Sequence, residues 1–295
     1  MKIIDCVTYL DENMLLDIRL NVLNQYVDKF VIAESLYTHS GKKKKQNFDI
    51  NNFPKFKDKI HYILVEDEVE NLHDTHEGTK YLSGNLRLNS LKRIEKQYNS
   101  LDDGIIDSDD EDLILLSDCD EIPNLENLKK ENLKNEIILF KQKIFYYKFN
   151  LQHLSMEWFG TKACRKKDLK TFNWLRNIKN KKYQFWRLDT FFSNNKYINV
   201  KTIENGGWHF SKVKNEKDIY YTLSVYGEHN EFEKSGLDHK KIKELIDNQE
   251  LYFDHNLDKT SNYKYSSKIK LTKQNLDVLP KYLRDNHSKY SEWLA

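Results

Sequence analysis

The stretch Asp112-Leu-Ile-Leu-Leu-Ser-Asp-Cys-Asp-Glu-Ile-Pro123 constrains the fold more than any other part of the chain. Leu113 to Leu116 form an unbroken apolar run that leads into two carboxylates one residue apart, Asp118 and Asp120. A short apolar run bounded by polar residues predicts a strand buried on both faces, the kind found in parallel sheets with helices on either side. In extended chain, residues i and i+2 point to the same side, so Asp118 and Asp120 can converge just past the strand's C-terminal end. In open α/β sheets ligands bind at that end. Pro123 keeps the strand from running on as an ordinary ladder. Two carboxylates aimed at one point repel unless a cation lies between them. Mg²⁺ and Mn²⁺ accept carboxylate oxygen and share their shell with substrate phosphates. The pair therefore suggests a metal-bridged diphosphate, and a plain acidic turn is the alternative.

The rest of the N-terminal half supports such a sheet. Residues 2–10 predict a buried strand, and residues 12–27 a helix with Leu15, Ile18, Val22, Leu23 and Tyr26 at helical spacing. Strands are expected over Lys29 to Glu34 and Ile60 to Val65. Residues 79–98 predict a helix with Leu82, Leu86, Leu91 and Ile94 on its inner face. Alternating strand and helix argues for an α/β fold with a mostly parallel central sheet. The acid-rich segment from Leu101 to Asp112 reads as a solvated loop. Residues 136–149 favour a long strand or hairpin, residues 155–210 short β-rich segments, and residues 215–226 and 237–248 helices.

Composition excludes some function classes. Charged residues make up 32% of the 295, but 48 Lys and Arg against 46 Asp and Glu leave a net charge of +2, which argues against a nucleic-acid binder. Cys6, Cys119 and Cys164 are too widely spaced for a metal knuckle or a disulfide framework, which favours a reducing compartment. Asp5 interrupts the first apolar run, so no signal-peptide core forms, and no window reaches transmembrane length. A cytoplasmic protein, at most peripheral to a membrane, is expected.

Three further clusters can carry chemistry. In Gly206-Gly-Trp-His-Phe-Ser211, His209 is either a third ligand of the same metal or a core histidine of an aromatic strand. In Tyr226-Gly-Glu-His-Asn-Glu-Phe232, residues Glu228, His229 and Glu231 can supply a general base or form a polar loop after a helix. Glu34-Ser-Leu-Tyr-Thr-His-Ser-Gly41, followed by Lys42 to Lys45, stands where a phosphate or uridine could lie; the lysines also suit a solvated loop.

In order, these segments resemble glycosyltransferase family 17. The resemblance rests on Asp5-Cys-Val-Thr-Tyr9 with Leu16-Asp-Ile-Arg-Leu20, Phe30-Val-Ile-Ala-Glu-Ser35 with Thr38-His-Ser-Gly41, and Phe56-Lys-Asp-Lys-Ile60. It continues through Ser117-Asp-Cys-Asp-Glu-Ile-Pro123, Gly207-Trp-His-Phe-Ser211 and Glu228-His-Asn-Glu-Phe232, covering about residues 2–232. Two departures stand out. Where the family has Gln-Arg-Asn this chain has Arg87-Leu88-Asn89, with the Arg displaced by one, and the acidic loop near 101–112 looks like an insertion.

The resemblance implies a GT-A type nucleotide-sugar-binding fold over residues 1–232, merged with an acceptor region and followed by a helical or irregular extension over 233–295. It implies inverting transfer of a sugar, N-acetylglucosamine first, from a UDP-sugar to a glycan or lipid-linked saccharide. Mn²⁺ or Mg²⁺ would sit on Asp118, Asp120 and His209. Glu34, Thr38, His39, Arg87 and Asp118 would lie beside the donor. Glu231 is the first choice of base, with Glu228, Glu204 and Asp189 as rivals, and His229 would orient the base or bind acceptor. Trp158, Trp208 and Tyr226 are candidates for sugar stacking. A metal-dependent nucleotidyl- or phosphotransferase and an inactive glycan-binding protein are the rival functions.

Overall fold

Residues of β1 (Ile3–Tyr9) alternate between two cores. Ile3, Val7 and Tyr9 pack on one face of the sheet, and Ile4 and Cys6 on the other. β2 (Lys29–Ser35) and β4 (Leu113–Asp118) divide in the same way, with Leu113 and Leu115 on the first face and Ile114 and Leu116 on the second. This is the pattern of strands buried on both sides. The structure, a computed structural model, describes residues 1–126, 128, 133, 136–190, 192–257, 264–265 and 267–295.

The mixed α/β fold matches the expectation. β1, α1 (Asn13–Leu23), β2, β3 (Ile60–Val65), α2 (Leu82–Asn99) and β4 follow one another, and β3-β2-β1-β4 lie parallel in that spatial order. β5 (Glu121–Pro123) comes directly after β4. β6 (Ile137–Tyr146) and β7 (Leu151–Arg165) form an antiparallel hairpin, and β7 joins the sheet antiparallel to β4. After α3 (Phe172–Asn177), β8 (Val200–Ile203) and β9 (Gly207–Ser211) both run parallel to β6, and β9 carries β5 on its far side, antiparallel.

Helix α1 covers one face with Leu15, Leu16, Ile18, Leu20 and Leu23, while α2 and α3 cover the other. α4 (Glu216–Val225), α5 (His229–Ser235) and α6 (His239–Asp247) close over the far end of the β6–β7 hairpin through Ile219, Phe232 and Ile242. The C-terminal segment is tied into the same body. β10 (Thr272–Lys273) pairs with β7, while Leu283 of α7 (Lys281–Asp285), with Leu279 and Tyr290, enters the α1 core.

Several local expectations are corrected. Helix α2 turns Asn89, Ser90, Ile94, Gln97 and Tyr98 inward, whereas Leu91 is exposed toward a cavity. A helix that walls a polar cavity has no need of an apolar stripe on that side. The acidic segment is only partly solvated. Leu101, Gly104 and Ile105 are buried in a 3-10 turn, and a Cβ on Gly104 would stand 2.2 Å from Val31 Cγ1. Asp112, fully buried, accepts from the backbone N–H of Lys2 and Asp109. Residues 155–210 are one long strand, a helix, an irregular stretch and two short strands. Residues 229–235 form a helix rather than a polar loop.

Candidate active site

The parallel sheet has its switch point between β1 and β4, and a cavity of about 490 Å³ opens at the C-terminal ends of these strands. Asp118 ends β4 beside Thr8 of β1, and the Thr8 hydroxyl donates to its carboxylate at 3.4 Å. The phenol of Tyr98, on α2, donates to the same Asp118 oxygen. The chain then turns through buried Cys119 to Asp120 and enters β5, so both carboxylates line one cavity.

Two devices fix this turn. From below, buried Arg19 of α1 donates to the carbonyls of Glu121 (2.6 Å) and Asp118 (3.3 Å). From the side, β9 pairs His209 with Glu121, and the Phe210 N–H donates to the Asp120 carbonyl at 2.9 Å. The Gly206-Gly207 pair lets β9 come this close. A Cβ on Gly207 (φ 129°) would stand 2.1 Å from the Ile122 carbonyl oxygen, and one on Gly206 would stand 2.7 Å from the Lys141 nitrogen.

The charges are strongly coupled. His209 Nε2 is 3.4 Å from Asp120 Oδ2. Burial works against the imidazolium, yet Asp120, Glu121 and Asp118 together raise the His209 pKa. Burial likewise works against charged Asp120, but His209, Lys212 and Lys214 hold its pKa down. Glu121 is buried between them, accepting from Trp158 Nε1 (2.5 Å) and the Asp118 N–H (3.0 Å). Burial, then the Asp118 charge, pushes Glu121 up to about 7.

This donor set suits a hard divalent ion, since Asp118 and Asp120 offer carboxylate oxygens to one cavity and cations favour such oxygens. The expected trio is not assembled, however. Among the described residues no three His, Cys, Asp or Glu side chains form a metal-holding group, and His209 is turned to Asp120 instead. An ion held by the pair would complete its shell with ligand oxygens.

The other predicted residues divide clearly. Thr38, His39, Arg87, Glu228 and Glu231 line the same cavity. The His39 ring stacks on Tyr226 at 5.7 Å and meets Gln97 Oε1 at 3.3 Å; burial lowers its pKa to about 4. Arg87 donates to the Gly227 carbonyl at 2.8 Å and lies 4.0 Å from Glu228, so it ties α2 to α5 at the rim. Trp158 and Tyr226 also line the cavity, whereas Trp208 donates to the Val278 carbonyl and packs in the core.

Glu34 does not face the cavity. It is fully buried, paired with Lys44, and accepts from the N–H groups of Asn47 and Phe48 and from the Tyr62 hydroxyl. A carboxylate so saturated fastens the 42–48 loop and has no lone pair to spare for a donor. His229, the first residue of α5, is buried, its Nδ1 3.0 Å from the Tyr226 carbonyl. Glu204 pairs with Lys141, and Asp189 with Arg187 and Lys196, all away from the cavity.

Sequence reasoning passed over Glu12, Tyr98, Glu121, Arg176 and Lys212, all of which line the cavity. Glu121 had a signal, standing next to the acidic pair. So did Arg19, which falls on the apolar spacing of Leu15, Leu16 and Leu20 in the first helix. Nothing local marks Arg176 or Lys212.

Among solved structures, the chain is similar to HddC from Yersinia pseudotuberculosis, with TM-score 0.33 and 13% identity over 70% of this chain and 92% of that one. It is also similar to the inositol-1-phosphate CTP transferase from T. maritima, with TM-score 0.33 and 13% identity over 83% of this chain and 97% of that one. Likeness at this level carries no argument about function. No curated protein matches the sequence significantly. The family comparison is decisive: the model of glycosyltransferase family 17 matches residues 1–295, the entire chain, and the protein belongs to that family.

Proposed function

We propose that this glycosyltransferase moves a sugar, N-acetylglucosamine by the family resemblance, from a UDP-sugar to a hydroxyl of a glycan or lipid-linked saccharide, with inversion. The observation that carries the reading is the placement of Asp118 and Asp120 at the end of β4, on a cavity also lined by Glu231 of α5 and by Glu228, the residue that precedes that helix. A volume of about 490 Å³ is in the range of pockets that hold small-molecule ligands.

Sugar transfer leaves negative charge on the departing diphosphate. Asp118 and Asp120 would hold Mn²⁺ or Mg²⁺, which when bound supplies Lewis-acid stabilisation of that charge. Tyr98 and Thr8 orient the Asp118 carboxylate, and His209 holds Asp120 in its charged form. Lys212 and Arg176 line the cavity as fixed cations for the phosphates. Thr38 and His39 border the donor. Inversion requires one base on the acceptor hydroxyl, opposite the leaving group. Glu231 fills that role, with Glu228 engaged by Arg87 at the rim. Trp158 and Tyr226 offer ring faces to sugar.

The test is incubation with a panel of UDP-sugars and oligosaccharide acceptors, with and without Mn²⁺. Release of UDP matched by an elongated acceptor is expected. Release of pyrophosphate, or transfer of a nucleotidyl group, would replace this reading with a nucleotidyltransferase.

A further inference from the structure

The segment between α3 and β8 carries an apolar surface that the site does not use. Phe185, Trp186, Leu188 and Phe192 are 72%, 62%, 73% and 92% exposed, four large apolar side chains within eight residues. The Phe185 and Trp186 rings pack edge to face on each other at 4.9 Å instead of entering a core. The loop is closed at its base. The Lys179 N–H donates to the Asn195 carbonyl (2.8 Å), the Tyr183 N–H donates to the Tyr197 carbonyl (3.2 Å), and Tyr183 is buried. The root is also held to the sheet, since Lys162 Nζ donates to the carbonyls of Arg176 and Ile178, both at 2.6 Å.

Charge along this segment of the chain is one-sided. Between Leu169 and Ile203 the sequence has Lys170, Arg176, Lys179, Lys181, Lys182, Arg187, Lys196 and Lys201 against one acid, Asp189, although the whole chain is nearly neutral. Asp189 is itself neutralised by Arg187 (2.8 Å) and Lys196 (2.6 Å). Lys179, Lys181 and Lys182 are exposed beside the aromatic tip.

We propose that the loop carrying residues 179–190 and Phe192 docks on membranes, inserting Phe185, Trp186, Leu188 and Phe192 into the interfacial layer of a bilayer containing anionic lipid, with Lys179, Lys181 and Lys182 on the headgroups. Aromatic and leucine side chains ringed by lysine favour that layer, where rings bury their bodies and lysines reach the phosphates. Self-association through this face is disfavoured, because a two-fold interface would set one basic loop against another. The loop root adjoins the site. Arg176 and Asn180 line a second cavity, of about 210 Å³, together with Asp118 and Glu121. Docking therefore brings the acid cluster to the membrane surface. Taken with the transferase reading, on which this step alone rests, the acceptor is a lipid-linked saccharide.

The experiment is flotation of the 295-residue chain with phosphatidylcholine vesicles, with and without phosphatidylglycerol. Wild type is expected to float with the anionic vesicles and to be released by salt, which screens the lysines. Phe185→Ser with Trp186→Ser should lower partitioning by roughly tenfold or more. Lys181→Glu with Lys182→Glu should reduce binding to the level seen on neutral vesicles. Because a substituted loop can misfold, wild type is also compared with Trp186→Phe for fluorescence quenching by brominated lipid; the quenched component should vanish in the variant. Wild type that stays with the soluble fraction, or substituted loops that float equally well, would overturn the proposal. So would a wild-type dimer that the serine variant dissociates, without vesicle binding. Transfer to a soluble acceptor should be unchanged in the serine variant, so failure of docking and failure of the transferase reading are separately visible.

Discussion

Arg19 and Asp5 face each other in the protein interior with no exposure to solvent, Nε to Oδ2 at 2.7 Å and Nη2 to Oδ1 at 2.6 Å. The same guanidinium holds the Asp118 and Glu121 carbonyls, so one buried pair links β1, α1 and the acidic turn. Arg19→Met would strand the Asp5 charge and is expected to cost about 3–5 kcal/mol in denaturant unfolding. Adding Asp5→Leu should recover much of that stability, since a buried ion pair is often replaceable by apolar residues. Transfer should stay impaired in the double variant, because the turn has lost its donor. A stable double variant with wild-type turnover would show that Arg19 does not position the site.

Asp120→Asn removes a charge that His209, Lys212 and Lys214 stabilise. The fold should persist, because the replacement has the same shape and its backbone remains bonded to Phe210. Turnover is expected to fall by roughly 10²–10³-fold, the usual loss when one stabiliser of transition-state charge is removed. Titration of activity with Mn²⁺ checks the assignment, and a variant with an unchanged metal dependence would contradict it.

Glu231→Gln is expected to lower kcat by about 10²–10⁴-fold with KM little altered, the signature of a lost general base. Glu228→Gln should loosen the Arg87 contact at the rim and act mainly on KM. If the two variants exchange these phenotypes, Glu228 is the base.

Glu34 supports the loop rather than the donor. Glu34→Ala leaves Lys44, the N–H groups of Asn47 and Phe48 and the Tyr62 hydroxyl without their acceptor. Removing one partner of such a buried network costs about 3–5 kcal/mol. The thermal midpoint should therefore drop while KM for the donor in the folded fraction barely moves. A selective rise in donor KM at full stability would restore Glu34 to the donor site.

Two buried histidines should favour unfolding in acid over a defined window. Burial holds His39 and His255 at about 4, against 6.5 for a free imidazole. Between pH 6.5 and 4 these two side chains bind protons in the unfolded chain that the native state refuses, so their contribution to stability is full above 6.5 and falls as pH drops toward 4. His209, raised by its acidic neighbours, and Glu121, raised by burial to about 7, act in the opposite sense and lose their contribution as pH rises. Thermal midpoints measured across this range report the balance, and His255→Gln should gain midpoint relative to wild type as pH drops from 6.5 toward 4.

Much of this was open to reading along the chain. The succession β1–α1–β2–β3–α2–β4 follows from apolar periodicity, because a strand buried on both faces and a helix buried on one leave different local patterns. Asp118 and Asp120 were legible as a pair because they end such a strand. The inner face of α2 was not, since its partner is a cavity and not a core, and α5 was hidden by its short length and polar sequence.

What the sequence determined alone was the N-terminal α/β sheet, the place of the acidic pair and, through six ordered motifs, the family. Only the tertiary structure decided that Glu228 and Glu231 line one cavity with Asp118, more than a hundred residues away in the chain, that Arg19 and Glu121 brace the turn, and that Glu34 is withdrawn. Periodicity records how each element is buried. Which elements share a cavity depends on how the β6–β7 hairpin and β9 join the sheet, and that information resides in contacts between segments far apart in the chain.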